Sequence, residues 1–78
     1  MLTGSQIRAA RALLNWSGED LAKKISLARH TIMNLEKWDG IPPSRTQTLL
    51  DIKTAFEGAG VEFIGTPENG AGVRFKPK

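Results

Sequence analysis

The chain has no cysteine and one histidine among its 78 residues. Without thiols, disulfides and thiolate metal sites are excluded, and with them the usual staples of a small secreted fold. A zinc site within one chain would have to draw all its other ligands from carboxylates, so neither a metal nor another cofactor is expected. No apolar run approaches the roughly 20 residues that span a bilayer, and no membrane partner is expected. The opening MLTGSQIRAARALL lacks a basic region followed by an unbroken apolar core, so it does not read as a signal peptide and a cytoplasmic protein is expected. Internal repeats and low-complexity segments are missing as well. Signs of catalysis are sparse. Ser17, Ser26 and Ser44 each have a capping role, His30 has no acid on its own helix face to orient it, and the glycines at 65, 70 and 72 belong to a turn rather than a phosphate-binding loop. An enzyme is not expected.

What is present fits one small domain with limited capacity to bury surface. Eleven lysines and arginines against eight acidic residues leave a formal charge of +3. That balance favours polyanionic partners without naming one.

Residues 3–14 carry the first helical pattern. Thr3 is placed to cap it, with Gln6 as the reciprocal partner of a capping box. Ile7, Ala10 and Leu14 mark the buried stripe. Arg8 and Arg11 lie beside it, where solvated arginines are the ordinary reading. Ser17 starts a second helix over about 18–24, with Asp20 as its capping-box partner and Trp16 and Leu21 spaced for a hydrophobic staple. Ser26 and Leu27 form a turn, with Leu27 as a wedge between helices. The helical period then resumes over about 28–37. At about 100° per residue, Ala28, Ile32 and Leu35 share one side, while Arg29, His30, Met33, Asn34 and Lys37 fan across the other. Pro42-Pro43 precede a fourth helix, expected from Arg45 to about Ala59 with Ser44 as cap and Gln47 as its partner. Gly60 reads as its C-terminal glycine. The alternating stretches Val61–Ile64 and Val73–Lys76 predict a β-hairpin in which Val61, Phe63, Val73 and Phe75 share a face and Glu62 pairs with Arg74.

Two short helices joined by a tight turn, the second with a polar outer face, have the anatomy of a helix-turn-helix. The segment RALLNWSGEDLAKKISLARHTIMNLEK, with Leu21-Ala22, Thr31-Ile32 and Leu35-Glu36, resembles the Cro/cI-type (XRE-like) domains of phage repressors and bacterial regulators. The opening and the closing GVEFI…GVRF look like a small bacterial form with a C-terminal hairpin. The resemblance implies a mainly α fold: a four-helix repressor-type helix-turn-helix domain over residues 1–60, with a β-hairpin extension of the same domain over 61–78.

It also implies a sequence-specific, double-stranded-DNA-binding transcriptional regulator associated with the nucleoid. The helix at about 28–37 would enter the major groove of one half-site, and the protein would act as a homodimer. Arg29, His30, Met33 and Asn34 occupy the base-reading positions. Arginine can fork onto guanine, asparagine onto adenine, and methionine can touch a thymine methyl. Asn15, Ser17, the Gly18 backbone, Lys37 and Arg45 occupy phosphate-contacting positions. Arg11 and Glu36 occupy those of a structural ion pair.

Three residues depart from the family pattern. Gly18 replaces a glutamine that touches a phosphate and braces the recognition helix. Ser26 replaces a turn glycine, and Ala28 replaces a serine or threonine cap. The recognition helix then either starts uncapped after Ala28 or starts a residue early with Ser26 as cap. The departures motivate an alternative: a protein-interaction module, an antitoxin or anti-activator, whose hairpin or apolar surface binds a protein partner and whose DNA binding is weak or lost.

Overall fold

The computed structural model describes residues 2–76, so Met1 and the last two residues of the expected hairpin segment lie outside the described part. In chain order the elements are α1 (Gly4–Leu14), α2 (Gly18–Ile25), α3 (Arg29–Glu36), α4 (Thr46–Gly58), β1 (Val61–Ile64) and β2 (Gly72–Phe75). The architecture is mainly helical, with one two-stranded antiparallel hairpin.

The first two helices start where their caps place them. The Gln6 N–H donates to Thr3 Oγ1 and the Thr3 N–H to Gln6 Oε1, both at 3.0 Å. Gln6 does more than cap. Its Nε2 donates to the Gly72 carbonyl at 3.0 Å, which fastens the start of α1 to the hairpin 66 residues away. At α2 the Asp20 N–H donates to Ser17 Oγ at 3.0 Å and the Ser17 N–H to the Asp20 carboxylate at 2.8 Å. Each box satisfies orphan N–H groups that a helix start otherwise leaves to solvent.

One expected start differs, and one open start is decided. Ser44 does not cap α4: Arg45 holds the N-cap position without a side-chain hydrogen bond. Gln47 turns instead to Asp51, one turn along, at 2.9 Å. A competing i,i+4 partner on the exposed helix face displaced the capping role. Nor does Ser26 cap α3. It ends α2 in the left-handed region at φ 57°, and Ala28 precedes α3 with no cap bond. As a flanking residue Ala28 is exposed and not part of the buried stripe.

The core gathers one stripe from every helix: Ile7 and Ala10 from α1, Leu21 and Ala22 from α2, Ile32 and Leu35 from α3, and Leu49, Ile52 and Phe56 from α4, with Leu2 and Val61 beside them. Phe56 is fully buried at its centre. Trp16 stacks on it at 5.5 Å between ring centroids, and Phe63 meets it edge-on at 5.9 Å. Trp16 and Leu21, the staple pair, thus both serve the core. Leu27 is half-buried and packs against the same cluster.

Gly60 takes φ 96° after Ala59, a conformation open to glycine and strained for most other residues, and turns the chain from α4 into β1. The hairpin register is Val61–Phe75, Glu62–Arg74, Phe63–Val73 and Ile64–Gly72. Opposed residues share a face, so Val61, Phe63, Val73 and Phe75 do lie together as the alternation predicts. Val61, Phe63 and Val73 join the core, whereas Phe75 stays 56% exposed. Arg74 Nε donates to Glu62 at 3.0 Å across the other face.

Candidate nucleic-acid interface

The polar side of α3 follows from its period. With Ile32 and Leu35 buried, residues at positions 29, 30, 33, 34 and 37 must face away, and all five are exposed. Arg29 and His30 occupy the first turn, Met33 and Asn34 the next, and Lys37 the C-cap. Thr31 lies half-buried at one border, and Glu36 lies fully inside the other.

Glu36 is where α3 is fastened. Its carboxylate is 4% exposed and receives the Arg11 guanidinium in a two-pronged pair, Nε at 2.6 Å and Nη2 at 2.7 Å. Arg11 Nη1 also donates to the Trp16 carbonyl at 3.0 Å, so one side chain joins α1, α3 and the segment before α2. The hydrogen bond to Glu36 raises the Arg11 pKa above its ordinary value, opposed by desolvation. The geometry is the planar fork that guanidinium and carboxylate share.

A second group of contacts joins α1 to the far end of α3. Arg8 donates to the Glu36 carbonyl, to Ser5 Oγ at 3.0 Å and to the Asp39 carboxylate at 3.2 Å. The Gly4 N–H donates to the Gly40 carbonyl at 3.0 Å. A Cβ at Gly4 would fall on the carbonyl oxygens of Leu35 and Trp38, so α1 approaches the chain there as closely as backbone permits. Gly4 and Asp39 carry no local signal of this role. Arg8 does carry one, since it sits three residues before Arg11 on the same side of α1.

The pairing of charges has a consequence for the surface. Between Ala28 and Arg45 the acidic residues are Glu36 and Asp39, and both are engaged by arginines of α1. Arg29, Lys37 and Arg45, the cations of that segment, have no carboxylate partner among the described residues. Elsewhere Lys23 pairs with Glu19 at 3.6 Å, and Lys24 lies over the Trp16 ring, 5.2 Å from its centroid. The free positive charge of the α3 region therefore lies at both ends of its polar face and at the start of α4.

The remaining candidate positions are less uniform. Asn15 is exposed and holds φ 57° as the C-cap of α1. Ser17 is exposed, but its N–H and the Asp20 N–H are both used in the capping box. Hydrogen bonding to its charged form, from the Ser17 N–H first and the Ser17 side chain second, holds the Asp20 carboxyl below the usual range. The start of α2 thus carries its own anion. Gly18 is buried, and a Cβ on it would stand 3.2 Å from Met33 Sδ. The Met33 thioether packs against the place where the resemblance calls for a glutamine side chain, an arrangement that no periodicity reveals. No known family model matches the chain, and no curated protein is significantly similar to it.

Proposed function

We propose that the protein is a sequence-specific DNA-binding transcriptional regulator that lays α3 in the major groove. The observation that carries this reading is the charge distribution around α3. Two arginines of α1 engage the acidic residues of that region, while Arg29, Lys37 and Arg45 stay free. Arg29, His30, Met33 and Asn34 are the base-reading residues. Lys37, Arg45 and Asn15 contact phosphate. Arg11 and Glu36 set the angle of the helix. DNA binding of this kind associates the protein with the nucleoid.

A single eight-residue helix reads few base pairs, so the working form is a homodimer on two half-sites about one DNA turn apart. The hairpin supports this. The Lys76 N–H donates to the Gly60 carbonyl, which makes 60–76 a hydrogen-bonded pair. By alternation, Val73 and Phe75 turn their N–H and C=O groups to the outer edge of β2. That edge, with the exposed Phe75, can pair with its copy. Selection of bound duplexes from a random pool tests both points, since a two-fold symmetric consensus is expected. Arg29→Glu abolishes binding to the selected site while the far-UV circular dichroism spectrum stays as in the wild type. Wild-type affinity in that variant would remove the assignment.

The same edge, with Phe75 exposed at its end, favours a second reading: a module that binds another protein through the hairpin. Salt titration separates the two. Phosphate contacts make affinity fall steeply with salt, and no duplex binding at low salt would leave the interaction module.

A further inference from the structure

Met33 is an apolar residue at the centre of a polar face. It lies four residues after Arg29, three after His30 and four before Lys37, so it neighbours all three on the helix surface. It is 42% exposed. A free methionine there would be a flexible side chain with many rotamers. This one is not free. Gly18, buried in the first turn of α2, leaves a notch that the Met33 thioether fills, and a Cβ on Gly18 would come 3.2 Å from the sulfur. The glycine lowers the helix propensity of α2 but leaves room for the Met33 sulfur, and the side chain stays part exposed on a face it shares with Arg29, His30 and Lys37.

We propose that Met33, seated on Gly18, reads the C5-methyl group of a pyrimidine in the major groove. This deepens the DNA-binding reading and rests on it. The major-groove edge of thymine presents a methyl group beside a carbonyl oxygen, and an apolar side chain is the complement of that methyl. The same chemistry comes from thymine or from 5-methylcytosine. Arg29, His30 and Asn34 take the neighbouring hydrogen-bonding edges, and Met33 is the one side chain of the four with no hydrogen-bonding head.

The test uses the full chain and the duplex selected from a random pool. Each thymine is replaced in turn by deoxyuridine, which lacks only the methyl. One position per half-site is expected to lose about four-fold in affinity, the value of one methyl-sized apolar group withdrawn from water. The loss is about fifteen-fold when both half-sites carry uracil. Met33→Gln abolishes the thymine-over-uracil ratio, and Gly18→Gln, which fills the notch and displaces Met33, does the same. Circular dichroism checks that both variants are folded. Cytosine and 5-methylcytosine placed at that position separate the sources. Recovery on methylation assigns the reading to the methyl itself, and loss with uracil but no recovery with 5-methylcytosine assigns it to thymine. Indifference to uracil at every position overturns the proposal and leaves DNA binding standing, as does a ratio that survives Met33→Gln. Failure to bind any duplex removes both.

Discussion

At its C-terminal end α3 is held by a buried carboxylate gripped at two points, an arginine on its last carbonyl and a backbone approach that admits no side chain at Gly4. At its N-terminal end it follows a serine in the left-handed region and an alanine that caps nothing. The same eight-residue helix is therefore firmly built at one end and lightly built at the other. The light end carries Arg29 and His30, the residues that would meet bases first. A short helix is marginal by itself, so the anchored end must hold the whole element in place. The uncapped start leaves the first N–H groups and side chains free for a partner.

The anchored end is most vulnerable at Glu36. Glu36→Ala leaves the Arg11 guanidinium without its partner and should lower stability by about 3 kcal/mol, read as an earlier urea midpoint. The double replacement Arg11→Met with Glu36→Leu should recover most of that loss, because it leaves no charge unpaired. Gly4→Ala comes next. Its methyl must push two backbone carbonyls aside, at about 2 kcal/mol, whereas alanine in a helix is ordinarily favourable.

The light end should respond in the opposite direction. Ser26→Gly relieves the left-handed strain and is expected to gain about 1 kcal/mol in thermal or urea unfolding. Ala28→Ser supplies the missing cap and should gain up to about 1 kcal/mol. If neither variant gains stability, the start of α3 is held by something other than the missing cap and the strained turn. The smallest effect lies at the capped start of α2, which serves as the internal reference. The Asp20 carboxyl titrates below its ordinary value because Ser17 donates to its charged form. Its contribution is therefore complete above about pH 4, the ordinary aspartate value, and is lost as the pH falls through its lower folded value. Thermal melts from about pH 5 to about pH 2 should show this decline in the wild type and a flatter limb in Asp20→Asn.

The helices, the two capping boxes, the Gly60 turn and the hairpin with its Glu62–Arg74 pair were legible in the sequence. Each depends on residues within a few positions of one another, or on an alternation that survives without knowledge of the rest of the chain. The polar face of α3 was legible for the same reason. The Arg11–Glu36 pair was legible only through resemblance, since no spacing rule joins residues 25 apart on different helices. The start of α4 was misread because two local partners competed for Gln47, and only its exposed position one turn before Asp51 decided between them.

The set of elements and the side of each that turns inward follow from the amino-acid order alone, because periodicity and capping are local physics. How the elements touch emerges only in the packed chain. Gly4 lies under two carbonyls, Arg8 spans from α1 to the end of α3, Gln6 reaches the hairpin, and Met33 rests on Gly18. Each of these joins residues distant along the chain at van der Waals or hydrogen-bond range. Such contacts arise from packed geometry, for which a glycine or a methionine in the sequence carries no mark.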